Sequence, residues 1–329
     1  MRGPAPVSVI TGFLGSGKTT LLNRLLRQPD MRGAAVIVNE LGEIGIDHLL
    51  VESAIEDAVL LRSGCICCTV RGDLIDTLGS LRERMTSGAL PKFDRVMVET
   101  TGLADPAPIL QTLMSDPSLT PHYRLGSVVA AADAVNAPSQ LDRFDEAVKQ
   151  IALADRLVVT KTDLVPAAAT DAVIARLRSL NDAALIIRLP DDAITPDRLF
   201  DASLFDPRGR PPDIARWLGA HESDHPRHDS AIRSFCLTRD APVPWPAFKA
   251  WLESVVSLRG ADLLRLKGIV NVAGDDRPVV VHGVQHVFHP PTRLPRWPDQ
   301  DRRTRLVFIT RNLEQAPLAA ALEAFIGDR

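Results

Sequence analysis

The chain is expected to be an α/β protein: a mainly parallel sheet with helices on both faces, followed by a smaller α+β domain. Three observations predict this. From residue 7 to about 190, short β-branched runs alternate with stretches of helical periodicity, the pattern of strands buried on both faces by crossover helices. The first apolar run passes directly into a glycine-rich loop and then into an amphipathic stretch. Beyond about Asp206 the alternation dissolves into Pro, Gly, Asp and His, and a different order of elements begins near residue 230.

In chain order, strands are expected at Val7–Ile10, Ala34–Asn39, Val59–Leu61, Arg95–Glu99, Val128–Ala132, Arg156–Thr160 and Leu185–Arg188. Between them, Leu21, Leu22, Leu25 and Leu26 share one helical face. Leu74, Ile75, Leu78, Leu81 and Met85 share a second, and Leu141, Phe144, Val148 and Ile151 a third. After the break come a strand at Ile232–Thr238 and a helix at Trp245–Val256. Strand-like stretches follow at Leu263–Val272, Val279–Phe288 and Leu306–Thr310, then a helix at Leu318–Ile326. The chain's 329 residues suit two domains of roughly 100–200 residues each. The expected division is 1–205 for the nucleotide domain, 206–229 for a linker and 230–329 for the second domain.

Gly12-Phe13-Leu14-Gly15-Ser16-Gly17-Lys18-Thr19 has the spacing G-x-x-x-x-G-K-[ST], with a strand before it and a helix after it. The glycines let backbone N–H groups face phosphate oxygens, and the helix N-terminus adds positive dipole. Lys18 is expected on the β/γ-phosphates, Thr19 on Mg2+, and Thr20 beside them in the first helical turn. This predicts the P-loop NTPase fold, with its nucleotide at the carboxyl ends of the strands.

The base identity is read later in the chain. Thr160-Lys161-Thr162-Asp163 ends a strand and has the form [NT]-K-x-D. The Asp163 carboxylate would accept two hydrogen bonds from guanine, N1–H and the 2-amino group, which adenine does not present. The Lys161 stem would lie across the purine, so GTP is expected over ATP. Glu99, at the end of Val96-Met97-Val98, takes the place of the strand-end acid that helps hold Mg2+, or acts through water on metal or nucleophile. Gly102, three residues on, can offer its N–H to the γ-phosphate. Asn39 to Asp47, with Glu40 and Glu43 among glycines, reads as a nucleotide-sensing switch.

Charge and cysteine usage narrow the class. A net charge of −3 and a pI near 6.2 give no basic field for nucleic acid or an anionic membrane. No run approaches the roughly 18 apolar residues of a membrane span, and the N-terminus shows no signal-peptide pattern, so a cytoplasmic location is expected. Three of the four cysteines fall in Gly64-Cys65-Ile66-Cys67-Cys68, unlike a disulfide framework spread along a secreted chain. Cys236, in an apolar run, is expected to be a buried small residue. In an extended segment Cys65 and Cys67 point to one side and could share Zn2+, Co2+ or Cu+, with Cys68 facing elsewhere. Further ligands must come from outside the motif, Glu43 of the switch being one candidate. A redox-active C-x-C pair and inert packed thiols are the alternatives.

Taken together, the P-loop, N-E-L-G-E-I-G-I-D, G-C-I-C-C-T-V-R, V-E-T-T-G-L-A-D-P and T-K-T-D, in this order, resemble the CobW family of GTP-dependent metallochaperones, relatives of the urease and hydrogenase nickel-insertion GTPases. The resemblance extends to Leu263-Leu264-Arg265-Leu266-Lys267-Gly268 and Trp297 in the second domain. It implies slow GTP hydrolysis and a Zn2+ or Co2+ cargo at Cys65, Cys67 and Cys68. It also implies transfer of that metal to a client metalloprotein, coupled to the nucleotide state. Many members carry a long histidine-rich run. Here there are only His221, His225 and His228 in the expected linker, and His282, His286 and His289 in an expected strand. Alternation would set His282 and His286 on one face and His289 on the other, against a three-histidine site. Two rival readings are a nucleotide kinase, which would need an arginine-rich lid, and a GTP-regulated thiol-redox protein. The sequence leaves the oligomeric state open, a homodimer included.

Overall fold

The computed structural model describes residues 3–38, 59–62, 70–190, 193–200, 218 and 232–327. The chain divides into two compact units, Met1–Arg176 with Leu185–Arg210, and Leu177–Ala184 with Pro211–Arg329.

The first unit is built on strands β1 (Ala5–Thr11), β2 (Ala34–Val38), β3 (Val59–Arg62), β4 (Arg95–Glu99), β5 (Tyr123–Asp133), β6 (Arg156–Thr160) and β7 (Leu185–Arg188). Among the described residues these form one sheet in the order β3-β2-β4-β1-β5-β6-β7, and every pairing is parallel. Ala34 to Ile37, Val96 to Val98 and Val128 to Ala130 are all fully buried, which is why these strands read as unbroken apolar runs rather than alternating ones. The connecting helices are α1 (Lys18–Leu26), α2 (Val70–Thr86), α3 (Ala107–Ser115), α4 (Ala137–Arg143), α5 (Asp145–Leu153), α6 (Ala167–Leu180) and α7 (Pro196–Phe200). Leu21, Leu22 and Leu25 of α1 pack with Ile10, Val36, Met97, Val129 and Val158 of the strands. β1 lies between β4 and β5, so the chain crosses from one side of it to the other. The carboxyl end of β1 is therefore the place where the fold leaves a crevice for a ligand.

One expected helix is two. The periodicity of Leu141, Phe144, Val148 and Ile151 spans a break at Phe144, which is extended (φ −130°, ψ 115°). Its ring packs against that of Phe13 at a tilt of 31° with centroids 4.7 Å apart, and Asp145 and Glu146 open the new helix at its positive end. The tertiary contact overrides the local repeat.

The second unit contains β8 (Ile232–Arg239), α8 (Trp245–Arg259), β9 (Leu263–Val270), β10 (Val279–Val284), β11 (Val287–Phe288), β12 (Thr292–Arg293), β13 (Thr304–Arg311) and α9 (Gln315–Gly327). Its sheet runs β11-β10-β9-β13-β8, with β12 also on β10, and its pairings are antiparallel. Trp251 and Phe248 of α8 pack on Phe308 of β13 at the centre of the core, with Leu318 and Leu322 of α9 in the same cluster. Cys236 is only partly buried, because β8 is the edge strand of this sheet. The expected strand Val279–Phe288 turns back at Gln285, whose φ is +53°. His282 and His289 therefore face each other across a hairpin with rings stacked 4.8 Å apart, and are not on opposite faces. All but Leu218 of the expected linker, with its three histidines, lies outside the described residues.

Candidate nucleotide site

Thr11 ends β1 and Lys18 begins α1, so Gly12 to Gly17 must turn the chain within six residues. Gly12, Gly15 and Gly17 all have positive φ, +136°, +71° and +90°. At Gly12 the requirement is also steric: a Cβ would lie 2.4 Å from the Ala131 carbonyl oxygen of β5. Gly17 is the left-handed residue before α1, and its carbonyl accepts the Leu21 N–H at 2.9 Å. The loop's amides and the helix N-terminus thus gather at the carboxyl end of β1. Lys18 is nearly buried and donates from Nζ to the Phe13 carbonyl at 3.3 Å, so its ammonium is folded over the loop it serves.

Glu99 ends β4 opposite Ile10 of β1, and it is buried. The Thr19 hydroxyl donates to Glu99 Oε1 at 2.6 Å. A hydroxyl and a carboxylate, both hard oxygen donors, are thereby held together beside the phosphate loop. This pair suits Mg2+, which binds through one or two protein oxygens and otherwise through water and phosphate. Thr20 is exposed in the first turn of α1.

Beyond Glu99 the chain stays on the phosphate loop. The Thr100 N–H donates to the Ile10 carbonyl at 2.9 Å and its hydroxyl to Thr11 Oγ1 at 2.9 Å. Gly102 then presses against Leu14, so closely that a Cβ there would sit 2.6 Å from the Leu14 nitrogen. Backbone cannot yield as a flexible side chain does. Gly102→Ala is expected to push the Thr100–Asp105 loop off the P-loop and to slow triphosphate hydrolysis by about tenfold or more, a barrier increase of about 1.4 kcal/mol. GDP affinity should stay within about twofold, because Gly102 is the residue expected to meet the γ-phosphate, which GDP lacks. Steady-state hydrolysis with a GDP titration checks it.

The base-side loop is tied to the same structure. The Thr160 hydroxyl donates to the Ser16 carbonyl at 2.8 Å, and the Ala134 N–H to the Thr160 carbonyl at 2.9 Å. Lys161 follows with φ +58°, ending β6 and directing its chain back toward β5. There its Nζ lies 2.5 Å from Asp133 Oδ2. Asp133 is fully buried and also accepts from the Val135 N–H (2.8 Å) and the Asn136 Nδ2 (2.8 Å). Burial pushes its carboxyl up, but the hydrogen bonds from Lys161, Asn136 and Val135 outweigh that and hold it below the usual range. Asp163 is exposed and makes no ion pair among the described residues, so its carboxylate faces solvent where a base would arrive.

Gly12, Gly15, Ser16, Gly17, Lys18, Thr19, Thr20, Glu99, Gly102, Thr160, Lys161 and Asp163 thus all come from the carboxyl ends of β1, β4 and β6 and the segments that follow them. Asp133 was not anticipated; its one local signal is a carboxylate at the end of an apolar strand, the same signal that singled out Glu99. Glu40, Glu43, Cys65, Cys67 and Cys68 lie outside the described residues. Among the described residues, no group of three or more His, Cys, Asp and Glu side chains could hold a metal ion. No helix among them is long and apolar enough to cross a membrane.

Comparison with known proteins bears on both units. The family profile described as "CobW/HypB/UreG, nucleotide-binding domain" matches residues 6–188, and that of the "Cobalamin synthesis protein cobW C-terminal domain" matches 232–326. The zinc chaperone YjiA of Escherichia coli (strain K12) is 32% identical over 318 residues, covering 97% of this chain and 98% of its own. The zinc chaperone CobW of a Sinorhizobium species is 29% identical over 365 residues, covering 99% and 98%. The crystal structure of the Zn(II)-bound YjiA GTPase from E. coli superposes with a TM-score of 0.74 at 28% identity, over 98% of this chain and 99% of that one.

Proposed function

The chain belongs to the CobW/HypB/UreG family of nucleotide-binding proteins, and from that membership we propose that it is a GTP-dependent metal chaperone. It hydrolyses GTP slowly to GDP and phosphate. It carries Zn2+, or a similar ion such as Co2+, on Cys65, Cys67 and Cys68 with Glu43 as a candidate further ligand, and passes it to a client metalloprotein. We assign the nucleotide chemistry to 1–205 and client contact to the linker 206–229 or the domain 230–329.

The observation that carries the nucleotide half is the hydrogen bond from Thr160 to the Ser16 carbonyl, 2.8 Å long. It joins a guanine-type tetrapeptide to a phosphate loop in one frame, so base and phosphates would be read by one rigid body. Lys18 would exchange the Phe13 carbonyl for β- and γ-phosphate oxygens. Thr19 and Glu99 would hold Mg2+, whose charge offsets that of the phosphate oxygens. A water attacks the γ-phosphorus, the bond to the β-γ bridging oxygen breaks, and the Thr100–Asp105 loop lines the γ side.

The metal half is supported by the sequence Gly64-Cys65-Ile66-Cys67-Cys68, by the relatives' names and by topology. β2 and β3 are neighbours whose last residues, Val38 and Arg62, are in register. The expected switch and the cysteine motif each follow one of these two strands, so GTP that orders the first would act on the second. Binding is reciprocal: a nucleotide that tightens metal must be tightened by metal to the same factor. We expect Zn2+ affinity, measured by chelator competition, to be about tenfold or more higher with a non-hydrolysable GTP analogue than with GDP. Cys67→Ala should lose the metal and keep the nucleotide. Equal metal affinity with GTP analogue, with GDP and without nucleotide would reject the chaperone reading and leave the GTPase intact.

A further inference from the structure

Gln150 lies on α5, outside the motifs that carry the nucleotide chemistry, and is 1% exposed. Its amide nitrogen donates to two carbonyl oxygens of the loop after β4, Gly102 at 3.1 Å and Ala104 at 3.0 Å. Both partners are acceptors only, so the nitrogen faces them and the amide oxygen points away. That oxygen is buried and has no hydrogen-bond partner among the described residues. An unmet buried acceptor is destabilising. An apolar side chain of the same length would fill this space without that penalty. The amide is therefore explained by what its two N–H groups hold, not by packing.

What they hold is the segment after Glu99, on the γ-phosphate side of the proposed site. Gly102 has the widest backbone freedom of any residue in Thr100–Asp105, and tying its carbonyl removes that freedom. The Leu103 N–H, trans to that carbonyl across a planar peptide, is fixed with it, pointing away from Gln150. A second tether stands beside the first: Lys149 Nζ lies 2.7 Å from Asp105 Oδ2, and Asp105 Oδ1 accepts the Ala107 N–H that starts α3. From the other side Gly102 abuts Leu14 of the phosphate loop. The loop is thus clamped between α5 and the P-loop.

We infer that Gln150 is a positioning residue for GTP: it holds the Thr100–Asp105 loop in the shape that recognises and turns over the γ-phosphate. The inference rests on the GTPase reading above. It predicts a defect confined to the triphosphate, which a merely structural role would not produce.

The experiment compares wild type with Gln150→Met, of similar length but without donors, by titrating GDP and a non-hydrolysable GTP analogue and by single-turnover GTP hydrolysis. Expected are a GTP-analogue affinity about tenfold lower, GDP affinity within twofold, a hydrolysis rate at least tenfold lower, and a melting temperature without nucleotide lowered by no more than a few degrees, since one unmet acceptor is removed while two carbonyls lose their donor. Gln150→Leu, also without donors, should show the same triphosphate-specific loss, and it decides the matter if Gln150→Met does not fold. An unchanged GTP-to-GDP affinity ratio and hydrolysis rate in a folded variant would overturn the clamp. So would equal losses of both nucleotides. If wild type itself binds no GTP analogue, the GTPase reading fails and the clamp with it, an outcome distinct from either variant result.

Discussion

Lys18→Ala should leave a folded protein that no longer binds GTP at working concentrations. The ammonium is nearly buried and rests on the Phe13 carbonyl at 3.3 Å, at the first position of α1. Removing it takes away the one cationic side chain of the G-x-x-x-x-G-K-T loop, where three to four phosphate charges arrive. Truncating one partner of a buried, hydrogen-bonded charge pair costs about 2–5 kcal/mol, and each 1.4 kcal/mol is tenfold in affinity. A loss of about a hundredfold or more in GTP and GDP affinity is expected, with hydrolysis below detection. Alanine is the best helix former, and the core Leu21, Leu22 and Leu25 are untouched, so the nucleotide-free melting temperature should move by no more than a few degrees. Calorimetric titration with Mg·GDP and a thermal melt check both halves. A variant that still binds GDP within threefold of wild type would mean that this loop is not the phosphate site.

Local patterns carried most of this fold. The strands Arg95–Glu99 and Arg156–Thr160 stand where the sequence places them, because each is an apolar run bounded by polar or turn residues and buried on both faces, and Leu185–Arg188 does too as a partly exposed edge strand. The phosphate loop was equally legible, since strand, glycines, lysine and helix follow one another without a gap. The residues that shape the site from behind were not. Asp133 meets Lys161 across 28 positions, and Gln150 meets Gly102 across 48. Neither belongs to a motif or to a periodic face that would mark it, and only the parallel crossovers bring them together. The break at Phe144 has the same origin: helical periodicity continues through it, and a ring packed against Phe13 stops it. Sequence reasoning thus named the groups proposed to touch the nucleotide and missed the groups that hold them.

That division matters for base recognition. Asp163→Asn is expected to convert a guanine-preferring site into one that favours xanthine. The carboxylate presents two acceptor oxygens to guanine's N1–H and 2-amino group. Asparagine replaces one acceptor with an N–H donor, which opposes the 2-amino group but matches the 2-oxo group of xanthine. A site built to hydrogen-bond one donor pattern rejects the wrong one strongly, because a polar group is otherwise left unpaired. GTP affinity should fall by about a hundredfold or more, and XTP should bind at least tenfold better than to wild type. The swap should be clean because Asp163 is exposed and makes no ion pair among the described residues, so little else depends on its charge. Lys161, by contrast, is held by the buried Asp133 and cannot follow a change at Asp163. The purine's face would therefore still be met by the same lysine stem while its edge is read differently. Competition of GTP, XTP and ATP against a fluescent GDP analogue, run on wild type and variant, measures this directly. Retention of GTP preference by Asp163→Asn would show that the T-K-x-D loop does not read the base, and would return the choice between guanine and adenine to an open question while leaving the phosphate site intact.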